Sequence, residues 1–516
     1  RNPVTHWLTA LPILARPEAR SLLLVGFGGG VAIEVVPPSI ERIDVVELEP
    51  EVIAANRLVA NGRWRDPLSD PRVHVHLNDA RSALSLAASR FDVIVSQPSH
   101  PWAGGAAHLY TREFFELVRS RLAANGAFLQ WIGLAFVDEA LFRSLLATLL
   151  DVFPHVRVYA PPPYGSILFL ASAEPFDMEH SVARALAANP EPFGELGIRV
   201  PEDVTADLLL DEAAVVELAR SAPLNQDGHN RLASRSDRLG DRALVKTIDD
   251  LLAPIDPLVR ALPQGSDPFD IVRRLSGARA ERVAKALSDP VQRAVGEAIA
   301  GIDDGKRERP RRRLEEALRL DPRNQEARAA MLRLSVGAIA GGANPEQIVS
   351  PPLSDEERAL ADGWATRARD PRALAAGELD ARLAAVAPRH PLGPDAMRLR
   401  VQGRLASGDP GLAKDADLLA NDYFGHRSDP SSILLLAETA AAVGDPATVL
   451  ERLSELIDAL DPRRASSRAF AYRARDLARA TAADDPELSW MRAAVLRRLG
   501  VTVARGAPRN AGAGKR

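Results

Sequence analysis

The chain has 516 residues and a formal net charge of −4, with 46% hydrophobic and 26% charged residues. This balance is typical of globular domains and excludes a chain that is disordered throughout. The slightly acidic composition offers no general basic surface for nucleic acid, and the absence of cysteine excludes disulfides, thiolate metal sites and cysteine nucleophiles. The sequence has no uninterrupted run of about 18 apolar residues, so we expect no membrane span in this chain.

The first predicted domain covers residues 20–175, where short apolar strands alternate with helical segments. Before it lie residues 1–19, which begin with Arg and which we interpret as the last part of a truncated N-terminal region. The strand candidates are Ser21–Val25, Arg42–Glu47, Val73–Leu77, Phe91–Ser96, Gly126–Ile132, Val156–Ala160 and Ser166–Ser172. This alternation favours a parallel sheet covered on both faces, and the Pro/Gly-rich turn at 161–165 indicates a terminal hairpin.

Downstream of this domain, residues 176–242 are predicted to be its C-terminal extension. Strand signals then stop, and residues 243–505 are predicted to form helices interrupted by Asp-Pro steps, such as Gly408-Asp-Pro410 and Gly444-Asp-Pro446. A Pro at each step presets the first turn of the next helix. The period of about 34 residues resembles tetratricopeptide repeats, with an irregular helical bundle as the alternative. Residues 506–516 are small, polar and basic, and are predicted to be a disordered tail.

A glycine-rich segment, Gly26-Phe-Gly-Gly-Gly30, directly follows the first strand. Glycine lets the backbone turn sharply and approach a ligand without an intervening Cβ atom. We therefore predict that Gly26, Gly28 and Gly30 bind a cofactor. A helix predicted after Gly30 would add free backbone N–H donors at its N-terminus.

Acidic residues follow the next two strands. Glu47 ends the second strand, where a carboxylate can accept the hydrogen bonds of a ribose diol. Asp79, in Asn78-Asp-Ala-Arg81, follows the third strand and can accept from an adenine amine. Ligands of open α/β sheets bind at the carboxyl edge of the strands, so these residues predict a nucleoside site. NAD is the alternative ligand, because dinucleotides use the same features.

The stretch Ser21 to Ile132 resembles the polyamine aminopropyltransferases, the spermidine synthase group. The likeness rests on four parts: Leu24–Gly30; Val45–Val52; Asp70–Val73 with Asn78–Arg81; and Phe91–Val95 with Leu109–Phe115. A subgroup often fused to membrane segments is similar in two further motifs, Pro98-Ser-His-Pro-Trp102 and Leu224-Asn-Gln-Asp227.

The resemblance implies a seven-stranded Rossmann-like sheet of the S-adenosylmethionine methyltransferase type, here followed by the all-α repeat domain. It implies decarboxylated S-adenosylmethionine or S-adenosylmethionine as co-substrate, no metal, and a polyamine or small amine as acceptor. The three glycines would pass under the methionine-derived part, Glu47 would hold the ribose and Asp79 would face the adenine. We expect a cytoplasmic protein, with membrane attachment through sequence before Arg1 as an alternative, and a protein partner on the repeats.

The chain departs from the family after the fourth strand, where the family's Asp-x-x-Asp-Pro is replaced by Gln97-Pro-Ser-His-Pro101. An amide cannot take a proton, so His100 is the candidate base, since an ordinary imidazole titrates near pH ~6.5. Gln97 is the candidate that aligns the amine, as in amine methyltransferases, and methyl transfer is the alternative reaction. A degenerate domain on a helical scaffold is the non-enzymatic alternative.

Two aromatic residues near this point, Trp102 and Tyr110, are predicted to bind the acceptor through their ring faces, with a plain core role as the alternative. His74 and His76 have metal-ligand spacing on one strand face, but we interpret them as ordinary strand residues. Asp227 and His229 are interpreted as polar surface residues, with a role in the acceptor pocket as the alternative.

Overall fold

The computed structural model divides the chain into two compact units, Arg1–Leu287 and Ser288–Arg516. The residues it describes are 3–60, 66–98, 100–102, 105–161, 165–194, 196–236, 239, 243–244, 247–263, 265–275, 277–303, 307–420, 430–460, 465–482 and 486–505. None of the helices in these ranges is both long and apolar enough to cross a membrane. The predicted tail at 506–516 lies outside them.

A single eight-stranded sheet forms the centre of the first unit, in the order β3-β2-β1-β4-β5-β7-β6-β8. The strands are β1 Ser21–Val25, β2 Arg42–Glu47, β3 Val73–Leu77, β4 Phe91–Ser96, β5 Leu122–Gly133, β6 His155–Tyr159, β7 Ser166–Ser172 and β8 Leu208–Leu210. Strands β1 to β5 pair in parallel, whereas β6, β7 and β8 are joined by antiparallel pairing. The predicted Rossmann-like sheet is confirmed, including the β6–β7 pair; the turn residues 162–164 lie outside the described ranges.

One strand more is present than the family resemblance implied, because β8 adds to the edge of the sheet beside β6. Its sequence is a run of three leucines. A segment of this length is too short to show the alternation of apolar and polar residues by which strands are recognised. The strand therefore left no distinctive signal within the mixed region 176–242.

Helices cover both faces of the sheet, as alternation along the strands requires. Leu22 and Leu24 face the cluster that contains Trp7 of the first helix, whereas Leu23 faces the cluster that contains Phe115. The helices of this unit are α1 Pro3–Ala15, α2 Pro50–Leu58, α3 Ala80–Leu86, α4 Arg112–Arg121, α5 Glu139–Val152, α6 Met178–Ala188, α7 Pro190–Gly194, α8 Pro201–Thr205, α9 Glu212–Ala219, α10 Arg231–Arg235, α11 Ile248–Leu252, α12 Pro257–Arg260, α13 Pro268–Arg274 and α14 Gly277–Ala286.

The prediction of a helix directly after Gly30 is wrong, because the structure has only a short 3₁₀ helix there, Val31–Ile33. Pro37 and Pro38 follow closely, and proline disfavours helical geometry in the residue before it and lacks an N–H donor. The expected row of helix N-terminal donors after the glycines is therefore not formed.

The described part of the second unit is all-helical. Its helices are α15 Pro290–Asp303, α16 Glu308–Leu320, α17 Gln325–Leu334, α18 Val336–Ala340, α19 Asp355–Arg369, α20 Gly377–Ala385, α21 Gly393–Ser407, α22 Leu412–Leu418, α23 Pro430–Ala442, α24 Pro446–Ala459, α25 Ala465–Ala480 and α26 Pro486–Arg505. Consecutive helices pack together, as α15 does with α16 and α23 with α24. The helical C-terminal region is confirmed, whereas its likeness to tetratricopeptide repeats stays a prediction.

The Asp-Pro steps separate helices in more than one way. Gly444 has φ +77°, and Asp445 then caps α24 by accepting from the Thr448 N–H at 3.0 Å, with Pro446 as the first helical residue. Asp321-Pro322 is another Asp-Pro step, but α17 begins only at Gln325, so the general expectation that the proline of each step starts the next helix is wrong there. Asn324 caps α17 there by accepting from the Ala327 N–H, which places the helix start three residues later.

Candidate functional site

The predicted site residues follow neighbouring parallel strands and are joined by backbone hydrogen bonds at one edge of the sheet. The Gly26 N–H donates to the Val46 carbonyl at 2.8 Å, and the Gln97 N–H donates to the Val25 carbonyl at 3.1 Å. The Asn78 N–H donates to the Glu47 carbonyl at 3.0 Å. The structure therefore brings the segments after β1, β2, β3 and β4 together at the edge where ligands of open α/β sheets bind.

The three predicted glycines all have positive φ values, of +88° at Gly26, +54° at Gly28 and +73° at Gly30, but their surroundings differ. A Cβ atom at Gly30 would lie 2.6 Å from Pro67 Cγ and 2.7 Å from Phe27 Cζ. A Cβ at Gly28 would have no atom within 4 Å. Gly28 is thus the glycine that leaves open space for a ligand, and Gly30 serves the packing of the loop.

Asn56 fixes the backbone of the exposed Gly28. Its side-chain Nδ2 donates to the Gly28 carbonyl at 2.8 Å, and Asn56 itself is buried on α2. Asn56 was not predicted as a site residue from the sequence. Its only signal was an amide on the helix that follows Glu47, which is too common a feature to mark a site.

Glu47 is 8% exposed, and its carboxylate accepts three backbone hydrogen bonds. Oε2 accepts from the Phe27 N–H at 2.8 Å, while Oε1 accepts from Leu48 and Glu49 at 2.8 and 3.0 Å. A carboxylate has about four acceptor positions, so about one remains for a ligand hydroxyl. Glu47 therefore organises the glycine loop as well as offering an acceptor at the predicted ribose position.

Asp79 is exposed and caps α3, because its Oδ1 accepts from the Ser82 N–H at 2.9 Å. The Asp79 N–H in turn donates to Asn78 Oδ1 at 2.8 Å. The capping role fixes the carboxylate at the start of the helix. The predicted contact of Asp79 with an adenine amine stays a prediction.

Gln97 connects the fourth strand to the glycine loop. Its Nε2 donates to the Gly26 carbonyl at 2.7 Å, and no described residue donates to its Oε1. A Cβ atom at Gly26 would lie 3.0 Å from the Gln97 carbonyl oxygen, so glycine is needed where the two segments meet. The arrangement uses the amide donor of Gln97 for the loop and leaves its acceptor for another group.

His100 and Trp102 form an exposed ring cluster with Phe136, and we call these three residues the aromatic triad. All three ring centroids are 5.0 Å apart, and Trp102 is 48% exposed. Phe136 follows β5 and folds over its end, since a Cβ at Gly133 would lie 2.9 Å from Phe136 Cε2. The parallel strands β4 and β5 therefore carry the triad at the same edge as Gln97.

Tyr110 is fully buried and does not line an accessible acceptor site. Its hydroxyl donates to the Trp131 carbonyl at 2.9 Å, and its ring belongs to the core that contains Phe114 and Phe115. Burial raises the pKa of the Tyr110 phenol. The structure thus gives Tyr110 the core role that the sequence left as the alternative, whereas Trp102 is accessible.

A polar network that the sequence analysis missed anchors the turn at 225–230. Arg81 donates two hydrogen bonds to Asp227, at 2.8 and 2.7 Å, and Thr111 Oγ1 donates to the same carboxylate at 2.7 Å. The Arg81 guanidinium holds the pKa of the Asp227 carboxyl well below its usual range. His108 Nδ1 lies 3.3 Å from Asp227, whereas His229 is exposed in the turn.

The predicted strand histidines differ from each other. Both are exposed, but His76 Nε2 lies 2.7 Å from the buried Asp44 carboxylate. Across the part of the chain that the structure describes, no three or more His, Asp or Glu residues are grouped so as to hold a metal ion.

The first part of the chain matches a known protein family. Residues 2–169 match the spermine/spermidine synthase domain family. The chain is 31% identical over 230 residues to the polyamine aminopropyltransferase of Nitrosomonas europaea, a match that covers 43% of this chain and 68% of that relative. The chain belongs to the polyamine aminopropyltransferase family.

Other aminopropyltransferase relatives match shorter stretches. The polyamine aminopropyltransferase of Moorella thermoacetica is 31% identical over 156 residues, which are 29% of this chain and about half, 53%, of that relative. The solved structure of a probable spermidine synthase from Corynebacterium glutamicum is 25% identical, with 44% of this chain and 81% of that chain covered and a TM-score of 0.33.

Proposed function

We propose that this chain transfers an aminopropyl group from decarboxylated S-adenosylmethionine to an amine. The observation that carries the proposal is the joined edge of the sheet, where Gly28 leaves open space beside the carboxylate of Glu47. Membership of the aminopropyltransferase family supports the same reaction. A polyamine or small amine is the proposed acceptor.

The donor is proposed to lie along the ends of β1 to β3. Gly28 permits close approach of the backbone, and the remaining acceptor position of Glu47 receives a ribose hydroxyl. Asp79 supplies the acceptor for the adenine amine from the start of α3. Each of these three positions has a surrounding contact that fixes it: Asn56 for Gly28, three backbone N–H groups for Glu47, and the α3 cap for Asp79.

The acceptor amine is proposed to meet the donor beside Gln97 and His100. The amine lone pair attacks the methylene carbon bound to the sulfonium; the C–N bond forms, the C–S bond breaks, and its electrons stay on sulfur in methylthioadenosine. The ammonium loses one proton before attack, and His100, which is exposed, is the proposed base. Gln97 Oε1 is the proposed acceptor that aligns the amine N–H, because its Nε2 is already bonded to Gly26.

Methyl transfer from S-adenosylmethionine is the second candidate. The observation that favours it is the polar Gln97 before Pro98, with a hydrogen bond to the glycine loop and no carboxylate in its place.

For the helical second unit we propose tetratricopeptide-like repeats that bind a protein partner, supported by Asp-Pro steps such as the one that ends α23. A cytoplasmic location stays a prediction.

The test is product release by the purified full chain. With decarboxylated S-adenosylmethionine and amines we expect methylthioadenosine; S-adenosylhomocysteine from S-adenosylmethionine would favour methyl transfer instead. His100→Ala is expected to lower turnover ~10²–10⁴-fold, the usual contribution of a general base, with unchanged methylthioadenosine affinity. His180→Ala, on the exposed surface of α6, is the matched control. Neither product with any donor, despite nucleoside binding, would favour the non-enzymatic scaffold.

A further inference from the structure

The Asp227 carboxylate lies between the segments that follow β3 and β4, and it bonds to both. From the first turn of α3, Arg81 donates to its two oxygens at 2.8 and 2.7 Å. Thr111, at the start of α4, donates to Oδ1 at 2.7 Å, and the Asp227 N–H donates to Glu113 Oε2 at 2.9 Å. The contacts with Thr111 and Glu113 hold Asp227 in place independently of Arg81.

Arg81 follows Asp79, the proposed adenine acceptor, by two residues. The hydrogen bond with Asp227 is the largest cause that raises the pKa of the Arg81 guanidinium. The negative charges of Glu113 and Asp79 raise this pKa further, so the guanidinium lies within electrostatic range of the exposed Asp79 carboxylate. That carboxylate caps α3 through Oδ1, and no described residue donates to its Oδ2.

An arginine two residues after an aspartate bonds to it elsewhere in the same unit. Arg72 donates from Nε and Nη2 to the Asp70 carboxylate, at 2.7 to 3.2 Å. Asp70 and Asp79 have similar extended backbone angles, φ −71° and ψ 119° against φ −66° and ψ 139°. The same spacing brings Arg81 within reach of Asp79, yet its guanidinium is bound to Asp227 instead.

We propose that Asp227 determines the adenine specificity of the donor site by holding the Arg81 guanidinium away from Asp79. The inference rests on the proposed function, in which Asp79 accepts from the adenine amine. A guanidinium binds a carboxylate more strongly than a neutral amine does, because both groups are charged and two N–H groups bond at once. Without the charge of Asp227, Arg81 pairs with Asp79 and occupies the acceptor that adenine requires. Asp227 is thus a positioning residue that acts through Arg81.

The experiment measures how strongly the full chain recognises the adenine amine. Calorimetric titration compares methylthioadenosine with its analogue in which hydrogen replaces the 6-amino group. Since the two nucleosides are otherwise identical, the ratio of their dissociation constants reports the amine contact and is insensitive to a general loss of stability. We expect a preference for methylthioadenosine of at least ~10-fold in the wild type, the effect of a hydrogen bond to a charged group, and of about threefold or less in Asp227→Asn.

Arg81→Gln separates this role from a structural one. It breaks the same ion pair as Asp227→Asn but leaves no guanidinium to compete for Asp79, so the wild-type ratio is expected to persist. The double variant Arg81→Gln/Asp227→Asn is expected to regain that ratio for the same reason. Asp70→Asn is the matched control, because it removes an ion pair of comparable exposure at the opposite end of β3, and its ratio should equal that of the wild type.

Two results would overturn the role of Asp227 alone. One is an unchanged ratio in Asp227→Asn, and the other is a loss of the ratio in Arg81→Gln, which would show that the ion pair only supports the local structure. Equal affinity of the wild type for both nucleosides would instead reject the adenine contact of Asp79, which belongs to the proposed donor site, and the inference with it. Binding of neither nucleoside would reject the donor site as a whole.

Discussion

Gln97 Nε2 donates to the carbonyl oxygen of Gly26 at 2.7 Å, and this bond joins the segment after β4 to the glycine loop. The same two residues approach through their backbones, because a Cβ at Gly26 would lie 3.0 Å from the Gln97 oxygen. Gln97 therefore acts as a positioning residue for the loop, in addition to its proposed contact with the amine.

Gln97→Glu is expected to weaken methylthioadenosine binding about tenfold, measured by calorimetry. The change keeps the side-chain length but replaces the donating amide with an oxygen that faces the Gly26 carbonyl, and one hydrogen bond is lost. Gln325→Glu, at an exposed position on α17, carries the same charge change and should leave binding unaltered. Wild-type affinity in Gln97→Glu would show that the loop does not depend on this bond.

The strands were predictable from sequence, but the side-chain bonds between their ends were not. Strands β1 to β4 have the bounds that the pattern indicates. The inner strands β1 and β4 are largely buried and carry nearly continuous apolar runs, whereas β3, at the edge of the sheet, alternates valine with exposed histidine. Gln97 and Gly26, however, are 71 residues apart in the chain. The order of the strands predicts that both residues lie at the same edge of the sheet, but it does not predict which of their atoms form a hydrogen bond. The three backbone bonds to Glu47 were hidden for the same reason, since they depend on the loop conformation.

Burial of Tyr110 and engagement of Arg81 also required the folded structure. An aromatic residue near the end of β4 can face either a pocket or the core, and the packing of Phe114, Phe115 and the Trp131 carbonyl decides for the core. Arg81 pairs with Asp227, 146 residues further along the chain. A contact at such separation has no local pattern that could reveal it.

Gly28→Ala and Gly30→Ala are expected to fail in different ways. Both place a Cβ at positive φ, which costs about 1–2 kcal/mol. Gly30→Ala should destabilise the chain further, by about 2–5 kcal/mol in all, because its Cβ would overlap Pro67 and Phe27. Gly28→Ala should instead weaken methylthioadenosine binding at least ~10-fold, because its Cβ enters the open space. Thermal unfolding and calorimetry separate the two, and equal effects of both variants would contradict these roles.

Glu47→Gln is expected to weaken methylthioadenosine binding by ~1.5–3 kcal/mol, the range for hydrogen bonds to a charged group. Three backbone N–H groups now donate to the two carboxylate oxygens of Glu47, whereas a glutamine side chain has only one acceptor oxygen. Glu49→Gln is the matched control, because Glu49 is exposed and its side chain makes no capping bond. Unchanged affinity in Glu47→Gln, measured by titration, would remove the ribose assignment.

Asp227→Asn is expected to lower the stability of the first unit by about 1–2 kcal/mol at pH 7, a value reduced because the carboxylate is partly exposed. The folded pKa of Asp227 is depressed by Arg81, so this contribution is complete above the unfolded pKa of about 3.9 and is lost as pH falls toward the lower folded pKa. Denaturant unfolding at pH 7 and pH 3 should show a smaller difference between variant and wild type at pH 3. A difference that grows on acidification would exclude the ion pair as its source.

The helical unit is expected to fold by itself from residue 288 onward. A fragment of residues 288–505 is expected to be soluble and strongly helical by circular dichroism, with no affinity for methylthioadenosine. It contains its own buried clusters, such as Leu434, Leu453 and Leu499, and repeat-like helices need mainly their neighbours.

A longer fragment that starts at residue 243, where the strand signals stop, is the matched comparison. It would carry Leu244, Leu252 and Ile255, whose side chains belong to the core of the first unit and would be exposed without it. We expect this fragment to aggregate at concentrations where residues 288–505 stay monomeric in size-exclusion chromatography, because exposed apolar surface promotes association. If the longer fragment were the monomeric one and the shorter failed to fold, helices α11 to α14 would belong with the helical unit instead.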